Sequence, residues 1–214
     1  MDRSDKAAFR PADLKSGPRA ERFLHYRREA PCTFNLTTRM DVTALRRTGE
    51  KLYPALLFLL SAAVNRHESF RWSVRDGEAG IFDWMSPCYT VFHPESGDFS
   101  CLWTPYDASY AAFRAMYDET KRRFGDCPAF EPMAGMPDNL FNVSMVPWIE
   151  MDGFQLNLRD DFEYLTPIFT LGRCVEREGR AELSLSVRAH HAVCDGYRLG
   201  LFLTDLQERL DRWK

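Results

Sequence analysis

Glu182-Leu-Ser-Leu-Ser-Val-Arg-Ala-His190-His191-Ala-Val-Cys194-Asp195-Gly196 is the stretch around which the chain organises. Side chains alternate across a strand. Leu183, Leu185, Val187, Ala189 and His191 therefore share an apolar face, and Ser184, Ser186, Arg188 and His190 share a polar one. The pattern places His191 where water is scarce and His190 where it is not. Burial favours the neutral imidazole, the form a general base needs near pH 7. Of the two histidines, His191 is the candidate base. Spacing alone leaves other readings open. A histidine on an apolar face is as readily a hydrogen-bonded core residue. His190, His191 and Cys194 are metal-ligand types, although no second cluster offers the remaining ligands at a familiar spacing. Asp195-Gly196 suits a turn or helix start on backbone grounds alone.

Working outward, the chain after Gly196 reads as a helix from about Tyr197, with an apolar stripe of Leu199, Phe202, Leu203, Leu206 and Leu210. Upstream, strand-like segments cover Phe141–Met145, Phe154–Leu158 and Ile168–Val175. Asp107 to Phe124 has helical spacing and ends in Lys121-Arg122-Arg123, which complements the helix dipole and reads as a solvated helix end. Asp76-Gly77 between Phe70–Arg75 and Ile81–Trp84 predicts a hairpin. Tyr89–Phe92, Phe99–Trp103 and Phe34–Thr38 look extended. Asp41 is a plausible N-cap for a helix through Arg47, and Pro54 suits the first turn of a buried helix through Asn65. The first twenty or so residues read as an irregular arm with one short helix. Hairpins mixed with helices predict an α/β fold, a mixed β-sheet covered by α-helices. A doubly wound nucleotide fold is not expected, since neither G-x-G-x-x-G nor G-x-x-x-x-G-K is present.

The 214 residues suit one domain, and 45% hydrophobic with 28% charged content excludes disordered and collagen-like classes. A net charge of −3 argues against nucleic acid as a partner. The longest apolar run, Leu56 to Val64, falls short of the roughly 20 residues of a membrane helix, and the polar N-terminus lacks a signal-peptide core. Six cysteines without a Cys-x-x-Cys pair are expected to be reduced thiols in a cytoplasmic protein.

His190-His191-Ala-Val-Cys-Asp195-Gly196 resembles the His-His-x-x-x-Asp-Gly signature of the trimeric chloramphenicol acetyltransferases. That motif is shared with dihydrolipoyl acyltransferase domains and peptide-synthetase condensation domains. Arg19 to Phe34, Lys51-Leu-Tyr-Pro54, Tyr89-Thr-Val-Phe-His93, Asn142-Val-Ser-Met-Val-Pro-Trp148 and Phe154-Gln-Leu-Asn157 are similar to further motifs of the antibiotic acetyltransferases. The matches are collinear and span nearly the whole chain.

The resemblance implies the CoA-dependent acyltransferase fold, a two-layer sandwich, and transfer of acetyl from acetyl-CoA to a chloramphenicol hydroxyl in a ternary complex. It implies His191 as general base and Asp195 paired with Arg19. Ser144 would donate to the tetrahedral intermediate, and Thr170 would hold a water against it. Tyr26, Cys32, Phe34 and Leu156 would line the acceptor pocket, and Lys51 and Arg173 would lie near CoA. Acetyl-CoA would be a co-substrate, with no metal and no tightly bound cofactor. Cys194 would be packing. A homotrimer is implied, its cleft between neighbouring subunits, with the Tyr26–Phe34 segment and the His191 strand on its two walls. His25, Ala30, Pro94 and Cys174 depart from the family pattern and bear on acceptor affinity and CoA contacts. The competing expectations are acyl transfer to a different small acceptor and a binding domain without catalysis.

Overall fold

The computed structural model describes residues 7–17, 19–158 and 163–214. Its strands are β1 (Phe9–Pro11), β2 (Thr33–Asp41), β3 (Trp72–Arg75), β4 (Glu78–Phe82), β5 (Ser86–His93), β6 (Asp98–Trp103), β7 (Leu140–Met145), β8 (Ile168–Arg177) and β9 (Arg180–His190). The α-helices are α1 (Ala20–Leu24), α2 (Thr43–Arg47), α3 (Leu52–Arg66), α4 (Tyr110–Phe124) and α5 (Gly196–Asp211). A π-helical turn, His25–Glu29, follows α1 directly.

Six strands form a mixed sheet in the order β2-β9-β8-β7-β5-β6. β7 runs parallel to both β5 and β8, and the other pairs are antiparallel. One face carries the core. Tyr89, Val143, Phe169 and Val187 lie on one rung across four strands, under the stripe of Leu199, Phe202, Leu206 and Leu210 on α5. Phe202 stacks on Phe70 at 4.1 Å and on Phe169 at 5.5 Å, tying helix to sheet. α3 is buried over most of its surface and packs against both α4 and α5. This is the mixed β-sheet covered by α-helices that the mixture of hairpins and helices predicts.

The second face of β9 differs from expectation. Ser184, Ser186, Arg188 and His190 are all buried, His190 at 0% exposure, while His191 is only half-buried. For Ser184, Ser186 and Arg188 the reason is the stretch joining β7 to β8, whose described residues cross this face. Ser184 Oγ donates to the Met151 carbonyl, Ser186 Oγ to the Phe154 carbonyl, and Arg188 Nη1 to the Tyr164 carbonyl. Polar side chains here bond buried backbone rather than water. The same stretch corrects the expected strand at Phe154–Leu158. It enters no ladder, and its Phe154 N–H is satisfied by the Thr37 hydroxyl of β2.

Local signals hold elsewhere. Asp76 and Gly77 both take positive φ, 52° and 80°, at the tip of the β3–β4 hairpin, the geometry of a type I′ turn. Pro54 sits in the first turn of α3, where its missing N–H is no loss. Val42 is the N-cap of α2, but the Asp41 carboxylate accepts the Thr43 N–H and so still stabilises the helix start. Asp195 caps α5, accepting from Arg198 N at 3.0 Å. The N-terminal arm contains a strand rather than only irregular chain: β1 pairs with β4. Residues 1–6 and 18 of that arm lie outside the described residues.

Candidate active site

β9 ends at His190 and delivers His191 to the sheet edge beside β2. The His191 N–H donates to the Cys32 carbonyl at 3.0 Å, extending the β2–β9 pairing beyond Thr33↔His190. The imidazole is then fixed by rings. Tyr26, from the π-helical turn, stacks on it at 4.2 Å with planes 12° apart, and Phe34 meets it edge-on at 5.6 Å. Nδ1 of His191 is buried with no hydrogen-bond partner. His190 is held differently, its Nδ1 accepting the Ala192 N–H at 3.1 Å, as befits a structural histidine.

Four expected residues are thus brought together within one chain: His191, Tyr26, Cys32 and Phe34. This corrects the expectation that the Tyr26–Phe34 segment and the His191 strand form opposite walls. The antiparallel pairing of β2 with β9 puts Phe34 opposite Ala189 and leaves the segment no other place. Leu156 lies exposed on the crossing stretch, two residues beyond Phe154.

Asp195 follows four residues after His191. Its Oδ2 accepts from Arg19 Nη2 at 3.5 Å, the expected pair, and from Arg198 Nη1 at 2.6 Å, a nearer partner that sequence reading missed. The missed signal was local, since residue three after a helix N-cap faces the cap. Burial pushes the Asp195 carboxyl up, but the Arg198 N–H and the charges of Arg198 and Arg19 outweigh it, leaving it below the usual carboxylate range. The Cys194 thiol is pushed up to about 12 by burial and by the adjacent Asp195 charge, and its Sγ contacts the Asp195 carbonyl. A thiol so held stays protonated near neutrality and is no nucleophile.

Ser144 stands elsewhere. It sits on β7, half-buried, in a cleft of about 480 Å³ lined also by Tyr53, Phe92, Tyr117, Lys121 and Trp148. Thr170 is its partner in β8 and Ser186 the next in β9, all three on one rung. His191 lies five residues beyond Ser186, roughly 16 Å along the strand and two strand spacings, about 10 Å, to the side. One chain therefore does not bring Ser144 and Thr170 to His191.

Lys51 is the exposed N-cap of α3, two residues before Tyr53, whose hydroxyl donates to the Thr90 carbonyl at 3.3 Å in the Ser144 cleft. Arg173 is exposed where β8 bulges, and lines a small crevice with Arg39, Glu150 and Arg177. The cleft's own cation, Lys121, was read as part of a solvated helix end. Arg122 fits that reading, paired with Glu119 at 2.7 Å. Lys121 lies one helical turn after Tyr117 and so turns with it into the cleft, where burial lowers its pKa. Among the described residues no group of three or more His, Cys, Asp or Glu side chains could hold a metal.

The arrangement matches known proteins over nearly its whole length. The family model for chloramphenicol acetyltransferase matches residues 7–207. A chloramphenicol acetyltransferase of Clostridioides difficile is 42% identical over 201 residues, covering 94% of this chain and 95% of that protein. Among solved structures, a chloramphenicol acetyltransferase superposes with a TM-score of 0.81 at 19% identity, covering 95% of this chain and all of that one. The dihydrolipoamide acetyltransferase of Azotobacter vinelandii shares the fold at a TM-score of 0.61 and 14% identity, covering 96% and 97% of the two chains. The chain belongs to the chloramphenicol acetyltransferase family of acetyl-CoA-dependent acyltransferases.

Proposed function

We propose that the protein transfers the acetyl group of acetyl-CoA directly to a hydroxyl of chloramphenicol, inactivating the antibiotic, at sites shared between neighbouring copies in a homotrimer. The observation that carries this reading is the division of the machinery: a base with its aromatic cage at one sheet edge and a hydroxyl-lined cleft at another. Two copies arranged head to tail bring the halves together, and such a contact repeated by rotation closes into a ring. Large apolar side chains left exposed at the cleft rim support a covering partner. Trp148 is 58% exposed and stands edge-on to Phe92, itself 43% exposed.

In this mechanism both substrates are bound together. The acceptor lies against Tyr26, Cys32, Phe34 and Leu156. Nε2 of His191 takes the proton of the acceptor hydroxyl as its oxygen attacks the thioester carbon. The carbonyl electrons move to oxygen, and the Ser144 hydroxyl donates to that oxyanion, with Thr170 holding a water beside it. An oriented donor in a water-poor cleft stabilises such charge far more than it would in water. Collapse expels the CoA thiolate, which recovers the proton from the His191 imidazolium. Arg19 and Asp195 shape the site without exchanging protons, and Lys51 and Arg173 face CoA phosphates. No metal or tightly bound cofactor takes part. All six cysteines are free thiols, which suits a cytoplasmic location.

A second reading, transfer to a different hydroxylated acceptor, draws on His25. Its ring stands edge-on to Tyr26 at 4.9 Å and its Nδ1 meets Glu29 at 2.9 Å, a polar pair beside the acceptor pocket. Thiol release from acetyl-CoA with and without chloramphenicol separates the two. Release that depends on chloramphenicol and saturates with it is expected. Release that needs another alcohol, with chloramphenicol inert, would favour the second reading.

A further inference from the structure

A cavity of about 260 Å³ opens between the end of α3 and the start of α5, with Arg19, Arg66, Arg198, His67, Glu68 and Trp72 in its lining. Three arginines line it, and two of them, Arg19 and Arg198, share the Asp195 carboxylate. Asp195 Oδ2 accepts from both Arg198 and Arg19, and Arg19 Nη1 is buried with no hydrogen-bond partner. Arg66, the last residue of α3, has no carboxylate partner among the described residues. The other polar lining does not restore the balance. His67 Nε2 faces Asp205 at 3.2 Å, and Glu68 reaches out to Arg10 at 3.4 Å with both side chains more than half exposed. The cavity holds about nine water volumes, room for a tetrahedral oxyanion or its small ester.

We propose that this cavity binds a doubly charged oxyanion of the phosphate class, with Arg66, Arg198 and the orphaned Nη1 of Arg19 as its donors. Planar guanidinium groups suit such oxygens because each offers paired N–H donors at fixed geometry. Burial and the nearby Arg198 both press on the charge of Arg19, and an anion relieves them. Because Arg19 and Arg198 also hold Asp195, the cap of α5, occupancy stiffens the start of that helix. Arg19 is shared with the acyl-transfer site through its pair with Asp195, but neither of the cations assigned to CoA, Lys51 and Arg173, lines the cavity.

The test is calorimetric titration and thermal unfolding of the full chain at pH 8 and constant ionic strength, with sodium chloride replaced by inorganic phosphate or by glycerol 3-phosphate. Saturable binding and a Tm that climbs with ligand concentration are expected. Tighter binding of inorganic phosphate identifies the free ion as occupant, and tighter binding of the ester identifies a phosphorylated small molecule. Arg66→Ala should keep the wild-type Tm in chloride and lose roughly tenfold or more in affinity. Arg66→Lys should retain part of it, and Lys51→Ala all of it. No saturable binding by the wild type would overturn the proposal. So would undiminished binding by Arg66→Ala, or a loss confined to Lys51→Ala.

Discussion

In the proposed mechanism the hydroxyl of Ser144 acts only as charge grows on the thioester oxygen, so its loss should appear in the rate and not in substrate binding. Losing one such donor typically lowers kcat by about 10²–10³. Ser144→Ala should lower kcat and kcat/KM together, with KM and Tm little changed; a stable variant of near-normal kcat would remove Ser144 from the site. His191→Ala should abolish transfer, whereas Cys194→Ala should keep most of it, because a thiol pushed up to about 12 is protonated at working pH. Asp195 allows a pH test. Its carboxyl is held below the ordinary range despite burial, by the Arg198 N–H and by the charges of Arg198 and Arg19. A carboxyl lowered on folding contributes stability above its unfolded pKa of about 3.9, and that stability is lost as pH falls through the folded value. Asp195→Asn should therefore melt earlier at pH 7, with the gap closing below about pH 4. A gap constant from pH 7 to 3 would refute the assignment. Sequence named Asp195 and Arg19 but not Arg198 or Lys121. The first pair comes with a motif, while the other two are ordinary surface-helix cations until their neighbours are placed.

At the scale of elements, the legible parts were those that declare themselves locally. The α5 stripe, Pro54 in the first turn of α3 and the Asp76-Gly77 turn depend on neighbours in sequence, and each stands where its pattern puts it. What could not be read depends on distant partners. β1 exists because Phe9–Pro11 finds β4 some seventy residues later. Phe154–Leu158 has a strand's composition, yet it lies across β9 and β2, where side-chain oxygens and hydroxyls take the place of a ladder. The burial of Ser184, Ser186 and Arg188 on the face expected to be polar follows from that same crossing. The β1–β4 contact carries its own prediction. A Cβ on Gly80 would stand 2.5 Å from Phe9 Cζ and 2.6 Å from the Arg10 carbonyl oxygen. Gly80→Val should push β1 off its partner and destabilise the fold by about 1–3 kcal/mol. Denaturant unfolding reads this directly, and a stability equal to wild type would mean β1 does not hold its place.

For the whole molecule, the central claim is that one chain carries two half-sites. Tyr26 and Phe34 fix His191 in one, and the Ser144 cleft forms the other, separated along and across the sheet. Light scattering should report a trimer. The more direct measurement uses two dead variants. Ser144→Ala chains keep an intact His191, and His191→Ala chains keep an intact Ser144. If each site takes its histidine from one copy and its serine from the next, either variant alone is inactive but mixed trimers are not. Every trimer holding both chain types then has one intact junction out of three. Random assembly of equal amounts, by unfolding and refolding the two variants together, should restore about one quarter of wild-type activity. Mixing the folded variants without unfolding should restore far less until subunits exchange. A co-refolded mixture no more active than its parents would contradict the account, because it would place histidine and serine in the same chain's site.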